Sequence, residues 1–286
     1  MKKIFLLAAG LSSSIAAQAQ VVPGSALFVG LGGSYNSVDF GNPHNYSQGV
    51  SNVYDAQTGD LVSVGSAGGS TNVSLDTQST SAPVLQAGYF EHFSGSNWLW
   101  GAKFSYSYLN KTATNKVVLI PQAGSFTDLV DQTPTAFTGN VFVRSYQASI
   151  KHQMSLIPFI GHSFEQSILY FGVGPTLTQT ETELSDTIGF ADIDGGHTDI
   201  TGSPTSISST QWLYGGAAVV GATYFFDPSW FVDASYSYAV TQNKTTDYSE
   251  PFVNTSDGYE TVGVLSGDYA GRVTTQALTV SINKSF

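Results

Sequence analysis

From Trp100 to Tyr108 the chain alternates strictly: Trp100, Ala102, Phe104, Tyr106 and Tyr108 on one side, Gly101, Lys103, Ser105 and Ser107 on the other. A period of two means a β-strand with two unlike faces. This constrains the fold strongly, because no stretch after the N-terminus reaches the roughly 18 consecutive apolar residues that a membrane-spanning helix needs. Charged residues make up 11% of the 286, against about 25% in an ordinary soluble domain. Cysteine is absent, which excludes a disulfide framework, a Cys-ligated metal and a Cys nucleophile. Ten basic residues against 21 acidic ones leave no cationic footprint for nucleic acid.

The first residues read as a targeting segment. Lys2 and Lys3 precede an apolar stretch from Ile4 to Ala17, and Ala17-Gln18-Ala19 offers small residues around a cleavage point. This is the pattern of a secretory signal peptide over residues 1–19, leaving residues 20–286 as one domain. An exported chain without spanning helices can still cross a membrane as a closed β-barrel.

Seven further segments alternate, near residues 26–38, 82–93, 139–154, 167–180, 211–226, 230–241 and 275–286, making eight in all. Leu27, Val29, Leu31 and Tyr35 share one face of the first. In the fourth, Tyr146, Ala148 and Ile150 oppose Ser145, Gln147, Ser149 and Lys151. Leu278, Val280, Ile282 and Phe286 share a face of the last. A soluble sandwich alternates too. Here, however, the polar face carries Ser, Thr, Gly and Gln rather than Lys and Glu, as a packed lumen does. Trp98, Tyr108, Trp212, Tyr224, Trp230 and Tyr238 stand near segment ends, as interfacial girdles do. Connections alternate between short (residues 94–97, 155–166 and 227–229) and long (39–81, 110–138, 181–210 and 242–269). The expected fold is all-β: an eight-stranded, antiparallel, up-and-down transmembrane barrel with three short periplasmic turns and four long extracellular loops.

The eight alternating segments, the hairpin Tyr224-Phe225-Phe226-Asp227-Pro228-Ser229-Trp230-Phe231-Val232 and the ending Ser281-Ile282-Asn283-Lys284-Ser285-Phe286 resemble the eight-stranded outer-membrane barrels of Gram-negative bacteria. That group includes the transmembrane domain of outer-membrane protein A, the opacity proteins and the broader outer-membrane β-barrel domain family. The resemblance implies an integral outer-membrane protein whose terminal Phe286 is read by the barrel assembly machinery. It also implies contact with outer-membrane lipid and lipopolysaccharide, and loops available to host surfaces or phage. Lys284 departs from the pattern, where an apolar residue is usual. No peptidoglycan-binding domain is expected beyond Phe286.

Of the 21 acidic residues, 17 fall in the four long connections. In the third, Asp192, Asp194 and Asp199 surround the pair Gly195-Gly196, an oxygen cluster that a hard cation could use. The full calcium-loop pattern is absent, because Ser203 stands where its terminal Glu would be. Lys103, Lys151 and Asp233 fall on the polar faces of their segments, so they are expected to form a charge cluster in the lumen, where an isolated charge is costly. No catalytic motif and no cofactor site are recognisable. The leading expectation is a non-enzymatic structural or surface-interaction protein. The alternatives are a small-solute channel or carrier and, third, a lipid-modifying enzyme.

Overall fold

The computed structural model describes residues 21–286 apart from Asp194; residues 1–19, read above as a signal peptide, lie outside the described residues. Thirteen strands follow in order: β1 (Ser25–Asp39), β2 (His44–Asp55), β3 (Leu61–Asn72), β4 (Gln78–His92), β5 (Trp98–Asp128), β6 (Pro134–Ser163), β7 (Ser167–Ile193), β8 (Gly196–Asp199), β9 (Thr205–Asp227), β10 (Trp230–Thr241), β11 (Lys244–Ser256), β12 (Tyr259–Gly271) and β13 (Thr274–Ser285). Eight of them close a ring in the order β1, β4, β5, β6, β7, β9, β10, β13 and back to β1, every neighbour antiparallel. Closure leaves no strand edge with unpaired backbone groups, the condition for a sheet to stand in lipid.

The lower part of this ring is apolar outside. Leu31 (67% exposed), Phe171 (59%), Tyr214 (67%), Val280 and Ile282 face outward, as do Leu27, Val29, Leu85, Phe104 and Val220. Aromatic rings bound the band. Below stand Trp98, Tyr224, Phe226, Trp230 and Phe286; above stand Tyr106, Tyr108 and Trp212, gathered around His152. On β5 the two rims are Trp98 and Tyr108, eleven residues apart counting both. A tilted strand needs about 9–11 residues to cross a bilayer.

The long connections are not loose loops. The strands continue far above the band: β5 has 31 residues and β6 has 30. The first and fourth connections fold into the hairpins β2–β3 and β11–β12. These pair with each other through β12 and β2, and β3 pairs with the upper half of β5. Thr246 donates to Gln211 Oε1 at 3.0 Å and Asn254 Nδ2 to the Asp199 carbonyl at 2.9 Å, drawing β11 to the β8–β9 side. An upper storey of strands thus stands on the lipid-facing one. Residues 155–166 are not a short connection either. β6 runs through them to Ser163, with Ile157 and Phe159 inward and Leu156 and Ile160 outward, and the turn is confined to residues 164–166.

Above the band the faces invert. Tyr146, Ala148 and Ile150 are buried inside, whereas Ser145, Gln147, Ser149 and Lys151 point out. This corrects the face assignment for the fourth segment. The cause is a β-bulge where the β6–β7 register slips between Ile150 and Gln153. One extra residue shifts a period-two pattern onto the opposite face. Register irregularities also lie on β5 between Tyr108 and Lys111 and, higher up, on β7 between Leu184 and Thr187. Asn110 and Asp186 accept positive φ angles of 42° and 48° there. Within the band apolar residues face out; above it a core of Ile120, Val143, Tyr146, Ile150, Leu184, Leu213, Leu265 and Tyr269 fills the inside.

In hydrogen exchange on the refolded protein, amides paired along β2–β3 and β11–β12 should stay protected for at least minutes, while the tips at residues 56–60 and 257–258 exchange at once. Immediate exchange throughout residues 44–72 would mean that the upper storey is not folded.

Candidate functional site

Inside the lipid-facing storey the lumen is filled in two layers. The lowest is aromatic. Phe225 and Phe231 stack at 4.7 Å between ring centres, Phe28 meets Phe231 edge-on at 5.4 Å, and Phe90 meets Phe225 at 6.2 Å. Leu99, Ile157 and Ile168 complete this plug. The aromatic residues of β9 and β10 therefore serve both faces: Tyr224, Phe226 and Trp230 outside, Phe225 and Phe231 inside.

The next layer is ionic. Lys103 Nζ lies 3.0 Å from Asp233 Oδ2, with the two side chains 7% and 2% exposed. Tyr170 donates its hydroxyl to Asp233 Oδ1 at 2.7 Å and is itself hydrogen-bonded to Lys103 Nζ. Gln86 Nε2 donates to Asn283 Oδ1 at 2.7 Å and to Ser281 Oγ. These side chains come from β4, β5, β7, β10 and β13, so one network ties five of the eight ring strands across the interior. Gly30 makes room for it: a Cβ there would fall 1.9 Å from Asn283 Oδ1. Above the network remains a cavity of about 50 Å³ lined by Ser105, Gln153, Ser155, Ser235 and Thr279.

Of the three charges expected in the lumen, the structure brings Lys103 and Asp233 together and sets Lys151 apart. Lys151 stands on the outer face beyond the β6 bulge and pairs with Glu181 at 2.6 Å. Alternation alone put it inside, because nothing in the sequence marks the bulge. Tyr170 and Gln86, which complete the network, were legible only as inward-parity polar groups on their strands.

In the third connection, Asp192 Oδ1 lies 2.7 Å from His197 Nδ1, whose ring stacks on Phe190 at 4.6 Å. Asp199 Oδ1 accepts the Gly202 N–H at 2.8 Å. Asp194 lies outside the described residues. Among the described residues no three His or acidic side chains converge as a metal site would need. At the lower rim, His92 Nε2 lies 2.8 Å from Ser163 Oγ and His92 Nδ1 lies 2.9 Å from the Gly24 carbonyl. Ser163 is 1% exposed and its hydroxyl also reaches the Asn97 carbonyl at 3.2 Å. These contacts tie chain segments together at the rim. Beside it, Lys284 Nζ sits over the rings of Trp230 (5.2 Å) and Phe286 (5.7 Å), and the Phe286 N–H donates to the Leu27 carbonyl at 2.8 Å.

Electrostatics in the upper storey follow local bonding. At the β2–β3 tip, the backbone N–H groups of Thr58 and Gln57 hold the Asp55 carboxyl below its ordinary range. Burial pushes the Tyr248 hydroxyl up to about 12, against the opposing effect of its hydrogen bond with Ser47.

Replacing Asp233 by Asn should cost about 3–5 kcal/mol in urea unfolding of the refolded protein, because it strands a buried ammonium. The double variant K103M/D233N should cost well below the sum of the singles, and additivity within about 0.5 kcal/mol would show that the pair is not coupled.

No protein-family model and no curated protein matches the sequence. Among solved structures the chain is similar to Ail, the attachment invasion locus protein of Yersinia pestis, solved in complex with the heparin analogue sucrose octasulfate. The identity is 15%, covering 84% of this chain and 98% of that one, with a TM-score of 0.26. It is similar to the outer membrane protein OprG from Pseudomonas aeruginosa at 11% identity, covering 91% and 96%, with a TM-score of 0.39. It is similar to the outer membrane protease OmpT from Escherichia coli at 13% identity, covering 91% and 97%, with a TM-score of 0.29.

Proposed function

We propose that this chain is an integral outer-membrane barrel that does not conduct and is not an enzyme, and that it acts at the cell surface through its upper storey. The observation that carries this reading is the sealed lumen. The Phe225–Phe231 plug and the Lys103–Asp233 network lie in series across the lipid-facing storey. An eight-stranded barrel has an interior just wide enough for side chains to fill, whereas water-filled porins have about 16–18 strands. The storey above, by contrast, is built from 23- to 31-residue strands and two paired hairpins, far more structure than anchoring needs.

In this reading the short turns and both described chain ends face the periplasm, and the acidic upper storey faces outward. The signal segment over residues 1–19 directs export. Phe286, exposed on the outer wall beside Leu27, serves the assembly machinery. The outward aromatic rim of Tyr106, Tyr108, His152 and Trp212 meets the lipopolysaccharide leaflet. A surplus of carboxylates repels anions and favours neutral or cationic partners.

Purified refolded protein in a planar bilayer should show no steady unit conductance. A steady unit conductance from the wild type would overturn the sealed-barrel reading in favour of a small-solute channel.

A further inference from the structure

The upper storey holds a cavity of about 320 Å³. That is within the range of small-molecule sites, about 300–1,000 Å³. Three half-buried phenylalanines from three strands line it, Phe126 on β5, Phe137 on β6 and Phe252 on β11, while Phe190 on β7 borders it with its ring stacked on His197. Phe126 and Phe137 lie 6.3 Å apart between ring centres. The lining is predominantly apolar, although this storey stands above the lipid-facing band. Apolar surface of this kind, concave and left uncovered, gains free energy when a ligand removes it from water.

One polar group in the wall is unsatisfied. Gln122 is 6% exposed and borders the cavity, and its Oε1, turned away from the open space, has no hydrogen-bond partner. Its Nε2 is turned to the Ile120 and Pro121 carbonyls, both at 3.4 Å. A buried acceptor without a donor carries a desolvation cost, and rotation about the broad terminal torsion of Gln122 would bring the oxygen to the cavity, where a ligand hydroxyl or N–H relieves it. The charged side chains among the described lining residues are both carboxylates, the exposed Asp199 and Asp257. They disfavour an anionic occupant.

We infer that this cavity is a binding site for a small, neutral, aromatic molecule bearing one hydrogen-bond donor, with the ring between the phenylalanines and the donor on Gln122 Oε1. The inference rests on the surface-barrel reading for its access from outside the cell, and it deepens that reading by naming a ligand class.

The test uses the full chain refolded in lipid nanodiscs, with protein-free nanodiscs as the blank, and equilibrium dialysis of naphthalene, 2-naphthol and 2-naphthoate. The wild type should bind 2-naphthol saturably at one site, about tenfold more tightly than naphthalene, the gain expected for one hydrogen bond to a buried acceptor. Binding of 2-naphthoate should be weaker than that of 2-naphthol. Gln122→Leu should bring 2-naphthol down to the level of naphthalene. Ala67→Phe, which fills the cavity from β3, should abolish saturable binding of both. Absence of saturable 2-naphthol binding to the wild type would overturn the inference. So would a naphthol-to-naphthalene ratio unchanged by Gln122→Leu. Conductance is read separately: a conducting chain that still binds 2-naphthol refutes the sealed barrel alone, and a silent chain that binds nothing refutes the ligand site alone.

Discussion

Side chains on a strand alternate with a period of two, and the long strands of this ring, β5, β6, β7 and β9, pass through two media with opposite demands. In lipid the apolar set must face out; above the bilayer it must face in. A strand meets both either by exchanging apolar for polar residues between its faces, as β9 does with odd positions inward from Ile207 to Phe225, or by slipping its phase. On β6 the bulge at residues 151–152 slips the phase by inserting an extra residue where the medium changes. The inward turn of Tyr146, Ala148 and Ile150 depends on this slip, and so does the exit of Lys151 from the lumen.

Closure supplies the second constraint. Eight strands leave a narrow interior, so whatever points inward has to pack or pair. Aromatic rings fill the lower end without polar cost, and the Lys103–Asp233 pair with Tyr170, Gln86, Ser281 and Asn283 spans the middle. Each member of that network has a partner on a different strand or a neighbouring residue. Burying such a pair does not by itself stabilise a protein. Its effect here is to link distant strands at one height and to fill the interior between them.

The lipid-facing storey was legible in the sequence, because lipid imposes a strict two-residue period and aromatic rims on every strand that crosses it. The strands from Trp98, Ser167 and Trp230 announce themselves for that reason. The upper storey was not legible. Residues 39–81 and 242–269 are rich in Ser, Gly, Thr and Asp, and in water such strands need no continuous apolar face. Their order comes from pairing with one another, a long-range property that local pattern does not carry. For the interior, parity alone marked Lys103 and Asp233, while the bulge that removes Lys151 depends on tertiary register. Gln122 gave no signal, since its unsatisfied acceptor exists only once β5 is placed in the upper wall.

The most direct test of the inverted storeys is a scan of single nitroxide side chains from residue 145 to residue 162 of β6, reading collision with lipid-dissolved oxygen and with a water-soluble nickel chelate. The account predicts oxygen contact at even positions from 154 to 162, nickel contact at 145, 147, 149 and 151, and a break in the alternation at residues 151–152. One unbroken alternation, with even positions outward from 146 to 162, would contradict it.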